Sequence, residues 1–127
     1  MNRYFNPEDL AQPFGSYSQG VEITNASKLV YVAGQVGAMP DGTVPEDFEA
    51  QAEQAFRNVQ GVLRAADMDV EHVVSMRYYL LDRENVPKFR AAKDRVFGDV
   101  RPAGTLLIVG GLASPDWHFE VDAFAYK

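Results

Sequence analysis

The chain has 127 residues, 46% hydrophobic and 24% charged, a composition that suits one globular domain with a single core and leaves little room for a second. A formal net charge of −6, with 12 Lys and Arg residues scattered singly, excludes the basic stripe that a phosphate backbone needs, so no nucleic-acid partner is expected. The absence of cysteine excludes disulfides, thiolate metal sites and a Cys nucleophile. The opening residues Met1-Asn2-Arg3-Tyr4-Phe5-Asn6-Pro7 lack the apolar core of a signal peptide, and no apolar run is long enough to span a bilayer. No membrane partner and a cytoplasmic location are the resulting expectations.

No repeat, low-complexity tract or linker interrupts the chain, so residues 1–127 read as one domain. Residues 21–23 and 28–34 read as two strands around an Asn25-Ala26-Ser27 turn, and Asp41-Gly42 marks a second turn. Between residues 45 and 66, Phe48, Ala52, Ala55, Phe56, Val59, Val62, Leu63 and Ala66 fall on one face of a long helix. Pro45, Glu46 and Asp47 suit its first turn. Residues 73–81 read as a strand. A second helix spans about residues 85–97, with Asn85 as its N-cap and Pro87 in the first turn. Strands at 105–109 and 118–126 complete an α+β order: a mixed sheet of about six strands with two helices on one face.

The strand at 28–34 carries Leu29, Tyr31 and Ala33 on one side and Val30 and Val32 on the other, and the strand at 105–109 is apolar on both sides except for Thr105. Such strands have both faces covered. Two helices cover only one, so another copy of the chain is expected on the second, the alternative being a somewhat apolar exposed face. The last strand alternates, with Phe119, Val121, Ala123 and Ala125 on one face and His118, Glu120, Asp122, Phe124 and Tyr126 on the other. Glu120 thus faces the expected subunit contact, where a carboxylate tends toward a raised pKa and proton-transfer chemistry. The alternative is a solvated Glu120, or one paired with an arginine of a neighbouring subunit. Tyr17 lies in the glycine-bounded loop Gly15-Ser16-Tyr17-Ser18-Gln19-Gly20, where it either reaches a ligand or packs its ring on the sheet.

Other chemistries lack their residues. His72 and His118 have no carboxylate or thiolate partner at metal-ligand spacing, so no metal site is expected. Ser16 and Ser18 lack the flanks of a nucleophile elbow. Gly110-Gly111 follows a strand without a phosphate-binding glycine pattern and reads as a turn.

Four segments, in this order and spacing, resemble the YjgF/RidA family of small trimeric enamine and imine deaminases: residues 15–20, Val32-Ala33-Gly34-Gln35-Val36-Gly37, Arg101-Pro102-Ala103-Gly104-Thr105 and Phe119-Glu120-Val121-Asp122-Ala123. The resemblance covers nearly the whole chain. It implies a chorismate-mutase-like fold, a homotrimer with ligand clefts between subunits, a small-molecule ligand and no cofactor. It also implies that Glu120 holds the water attacking a C=N bond, that Tyr17 helps close the cleft and that the Gly34 backbone approaches the ligand. Gly34 otherwise reads as a strand-end bulge.

The fourth segment departs from the family, which has Pro-Ala-Arg-Ser there, with an arginine that grips a ligand carboxylate. Here that position is Gly104, while Thr105 keeps a hydroxyl where serine is usual. Lys93 stands nearest the family's helix asparagine. Loss of a bidentate ion pair in a desolvated cleft costs about 2–5 kcal/mol of binding, so the substrate is expected to differ from a simple 2-imino acid. Arg101 and Arg77 are candidate substitutes, with surface or intersubunit ion pairs as their alternative roles. Three functions follow. The first is a C–N hydrolase using Glu120, Thr105 and Tyr17. The second is a non-catalytic member that binds a metabolite or partner in the same cleft. The third, RNA cleavage, fits the acidic charge badly.

Overall fold

In the computed structural model, which describes all of residues Met1–Lys127, the apolar period at residues 45–66 becomes α1 (Phe48–Ala65). Asp47 caps it, its carboxylate accepting from the Ala50 amide at 2.9 Å. The face with Phe48, Ala52, Ala55, Phe56, Val59 and Leu63 is buried, and Val62 alone of its larger apolar residues stays well exposed. Gln51, also buried, donates from Nε2 to the carbonyls of Pro45 (2.8 Å) and Asp116 (3.0 Å) and accepts from the His118 amide (3.0 Å). It ties the start of α1 to the loop that leads into the last strand.

Six strands form, divided between two sheets. β1 (Asn2–Phe5) and β2 (Gly20–Ile23) make a two-stranded antiparallel ribbon. β3 (Leu29–Gln35), β4 (Val73–Leu80), β5 (Ala103–Ile108) and β6 (Phe119–Tyr126) make a mixed sheet in the order β3-β6-β4-β5. β4 and β5 run parallel, joined through α2 (Val86–Phe97), because parallel neighbours need a crossover. The expected turn at Asn25 is present, with Asn25 at φ 54°, but it does not join a hairpin. β2 pairs back with β1 and β3 pairs with β6. Asn85 precedes α2 without a side-chain cap bond. Its place is taken by Asp82, whose carboxylate caps the preceding 3₁₀ turn through the Glu84 amide at 2.9 Å.

Both helices pack on the inner face of the four-stranded sheet. Phe56 is the centre of that layer, its ring 5.3–6.2 Å from those of Tyr78, Phe89, Phe97 and Phe119. Truncating such a residue to alanine costs about 3–5 kcal/mol. Phe119, Val121, Ala123 and Ala125 of β6 are fully buried here, as their alternation requires. The outer face has no cover within the chain, and Leu29 (53%), Tyr31 (49%) and Leu107 (44%) remain exposed. No helix is long and apolar enough to cross a membrane.

Candidate functional site

β5 starts at Ala103, two residues earlier than the sequence suggested, so Gly104 and Thr105 both lie in an edge strand and face opposite sides of the sheet. On the helix side, a β-carbon at Gly104 would stand 2.9 Å from Cε2 and 3.1 Å from the hydroxyl of Tyr78. A cavity of about 270 Å³ opens there, walled by Val86, Phe89 and Leu106 and roofed by residues 14–17. The roof is fastened at three points. The Ser18 amide donates to the Pro102 carbonyl at 3.2 Å, the Ser16 hydroxyl to Asp94 at 3.2 Å, and Lys93 Nζ to the Ser16 carbonyl. Tyr17 lines this cavity, its hydroxyl accepting from the Phe14 amide at 3.2 Å.

Lys93 is 3% exposed, and burial pushes its pKa down to about 8, helped by nearby Arg101 and Arg90 and opposed by Asp94. Its Nζ lies 5.9 Å from the centre of the Tyr78 ring. The Tyr78 hydroxyl is buried without a hydrogen-bond partner, and burial alone pushes its pKa up, so it stays a neutral donor.

On the outer face, Thr105 sits beside its β4 register partner Arg77, and both line a shallow groove with Tyr17 and Gly104. Arg77 Nε donates to Asp122 at 3.0 Å, and the Tyr79 hydroxyl donates to the other oxygen of that buried carboxylate at 2.8 Å. Arg101 is turned elsewhere. Its guanidinium donates to the Gly98 carbonyl at 2.6 Å and lines a separate depression with Tyr4, Asn6 and Glu71.

Glu120 and Gly34 come together at the other end of the sheet. A bulge sets two β3 residues, Ala33 and Gly34, against Asp122 of β6, since Val32 pairs with Ala123 and Gln35 with Val121. A β-carbon on Gly34 would overlap Glu120 Oε2. The carboxylate therefore needs bare backbone at this point, and it lines an open depression with Tyr31, Tyr79, Val109 and Leu112.

The candidate residues thus form two groups on one chain. Tyr17, Gly104 and Thr105 gather at the β5 edge, Gly34 and Glu120 toward the β3 edge, and Arg101 joins neither. Glu120 on β6 lies two strand spacings, about 10 Å, from β5, and stands in register with Leu107 there, two residues beyond Thr105, so the two groups are apart on a single chain. Sequence reasoning noticed Lys93 only as a mismatch and passed over Tyr78. The available signal was a lysine one residue after Ala92 on the apolar side of α2.

The fold is an α+β domain of two helices on a mixed sheet, with a small cavity beside Gly104 and a shallow depression around Glu120 on the outer face. The chain belongs to the YjgF/RidA family: residues 8–127 match the family described as endoribonuclease L-PSP. A RutC family protein of Pyrococcus horikoshii is 30% identical over 122 residues, 94% of each chain. The 2-iminobutanoate/2-iminopropanoate deaminase of Escherichia coli is 28% identical, covering 100% of this chain and 99% of the relative. Among solved structures, the Rid family protein YyfB of Yersinia pestis superposes with a TM-score of 0.89 at 28% identity, covering 99% of this chain and 98% of that one. The YjgF product of Escherichia coli superposes at 0.74, with 27% identity and 98% of each chain covered.

Proposed function

We propose that this protein is a cofactor-free hydrolase that deaminates an enamine, an imine or a related C–N bond, working as a homotrimer. Its site would be built where Gly34 and Glu120 of one copy face Tyr17, Gly104 and Thr105 of the next. The observation that carries this reading is the Glu120 carboxylate seated over the bulge at Gly34, open to a depression with aromatic and apolar walls. The uncovered outer face, with Leu29, Tyr31 and Leu107, supports assembly, and the deaminase of Escherichia coli supports the chemistry by kinship.

In this mechanism Glu120 takes a proton from a water whose oxygen attacks the C=N carbon. The Thr105 hydroxyl and nearby amides steady the developing charge. Glu120 passes that proton to the imine nitrogen to give a carbinolamine. The carbinolamine hydroxyl then gives up its proton, the nitrogen gains it, and the C–N bond breaks to release ammonia and leave a carbonyl. With glycine at 104 and Arg101 directed away, the family's fork is missing. Arg77, its Nε committed to Asp122, and Arg90 at the cavity mouth are the guanidiniums left near this position, so a simple 2-imino acid is held less well than in arginine-containing relatives. That same feature favours a second reading, a non-catalytic member that binds a metabolite or partner in the cleft. RNA cleavage stays disfavoured by the net charge of −6.

The test is ammonia release from enamines generated in situ, by the wild type and by Glu120→Ala. Turnover lost in an intact Glu120→Ala oligomer supports the hydrolase. Full turnover in the variant refutes the role of Glu120. Ligand binding with no turnover in the wild type favours the second reading.

A further inference from the structure

The cavity beside Gly104 has the exposed Arg90 at its mouth and two buried polar groups, Lys93 and Tyr78, that the proposed hydrolysis does not use. Lys93 is buried, yet no carboxylate pairs with it, and its one hydrogen bond runs to the Ser16 carbonyl. The acid beside it in sequence, Asp94, accepts from the Ser16 hydroxyl instead. The Tyr78 hydroxyl has no partner at all, although the residue is 4% exposed. A buried ammonium served by one acceptor leaves two N–H groups unsatisfied, and an orphaned hydroxyl costs about 1–3 kcal/mol. A neutral amine suits the position better. One N–H serves Ser16, and the nitrogen lone pair stays free. Desolvation lowers the Lys93 pKa to about 8, so the free amine is a minor but accessible form at neutral pH.

The Tyr78 hydroxyl then lacks only an acceptor. The bare backbone of Gly104 lies close against it, where a β-carbon would stand 3.1 Å from the hydroxyl, so both face the cavity with no side chain between them. The walls of Val86, Phe89 and Leu106 call for an apolar body. A carbonyl compound supplies both an acceptor oxygen and an electrophilic carbon.

We propose that Lys93 is an amine nucleophile that captures small apolar aldehydes or ketones in this cavity as a Schiff base, with the Tyr78 hydroxyl as proton donor. The lysine nitrogen bonds to the carbonyl carbon while the C=O π pair moves to oxygen, which takes the Tyr78 proton. The nitrogen gives up a proton, which restores the phenol. The carbinolamine then loses water and forms C=N. Nothing is oxidised or reduced, and one water leaves for each carbonyl captured. The cavity shares Tyr17 and Gly104 with the proposed cleft, but the capture goes beyond that reading and does not require Glu120.

The test treats the full chain, as wild type and as Glu120→Ala, with butanal and sodium cyanoborohydride near neutral pH, and then maps modified peptides by mass. Cyanoborohydride reduces the C=N bond to a stable secondary amine. Lys28, Lys88 and Lys127 are exposed internal comparators, and the α-amine maps to its own peptide. Lys93 is expected to react about tenfold faster than any of the three, and equally fast in Glu120→Ala. Tyr78→Phe is expected to slow Lys93 severalfold. Even labelling across the four lysines, or a Lys93 that stays unmodified while the others react, overturns the proposal whatever the deaminase assay gives. A deaminase assay that fails while Lys93 is still captured removes the hydrolytic reading alone.

Discussion

The Glu120 carboxylate lies against Gly34 in the place that a β-carbon on that residue would fill. Position of the acid and absence of a side chain are therefore one feature, set up by the bulge between β3 and β6. Gly34 has no left-handed backbone angle to protect, so Gly34→Ala is expected to fold and to push the carboxylate aside. Turnover of any enamine the wild type hydrolyses should fall by at least about tenfold, since small misplacements of a catalytic group cost that much or more. Steady-state rates and a melting curve check it. Unchanged turnover would show that the seat of Glu120 is irrelevant to catalysis.

Gly104→Arg would restore the residue type that the family carries. The backbone at 104 permits a side chain, but its β-carbon would press on the Tyr78 ring at 2.9 Å, and that ring is packed by Phe56 and Phe89. Overpacking of this kind costs about 1–3 kcal/mol, so the melting temperature should drop. Affinity for a small carboxylate such as 2-oxobutanoate, read by titration calorimetry, should rise in the variant that remains folded. Wild-type activity on 2-imino acids equal to that of arginine-containing relatives would refute the substrate argument.

Lys93 makes stability depend on pH in a known direction. Its folded pKa of about 8 lies below the usual lysine value, so the unfolded chain binds more protons between about pH 8 and 10. Its contribution to stability is therefore least below that window and grows as pH rises through it. Denaturant unfolding should show a gain of roughly 1–2 kcal/mol for the wild type relative to Lys93→Met between about pH 7 and 9.5. The comparison stops short of the range where Tyr78, its pKa raised by burial, adds an opposite trend. Parallel profiles for the two proteins would mean that Lys93 stays charged in the fold.

Leu107 is 44% exposed on the outer face of β5, and Tyr31 is similarly exposed on β3. If a second copy covers this face, Leu107→Glu places an unpaired charge in the contact and should shift the trimer toward monomer at micromolar concentration. Sedimentation velocity measures it. A wild type that sediments as a stable monomer would remove both the assembly and the shared cleft.

The helices were legible because their apolar period is long, and β6 because its alternation separates Phe119 from Glu120 cleanly. That the two strands flanking Asn25 do not pair with each other has a physical cause. Asn25 signals a turn correctly, but a turn signal carries no information about which strand takes up the hydrogen bonds beyond it. β1 and β6 lie far from that turn in the chain, and they win the pairing. The candidate site was legible as residue types and illegible as geometry. Nothing in the order Arg101-Pro102 reveals that the guanidinium folds back onto the Gly98 carbonyl. Lys93 reads only as a replacement for the family's helix asparagine until Ser16 and Tyr78 are placed over it.

The sheet order β3-β6-β4-β5 places its last-made strand in the middle. As a nascent chain emerges, β3 has no partner in this sheet, and β4 can zip only to β5 on one side. Two unpaired strand edges wait together until residues 119–126 arrive between them. Assembly of the main sheet is therefore governed by a late long-range insertion, and slower than its helices alone would suggest. Slow synthesis or a stall before β6 would leave those edges open to neighbouring chains, so the risk of aggregation is concentrated in the interval before residues 119–126 are made.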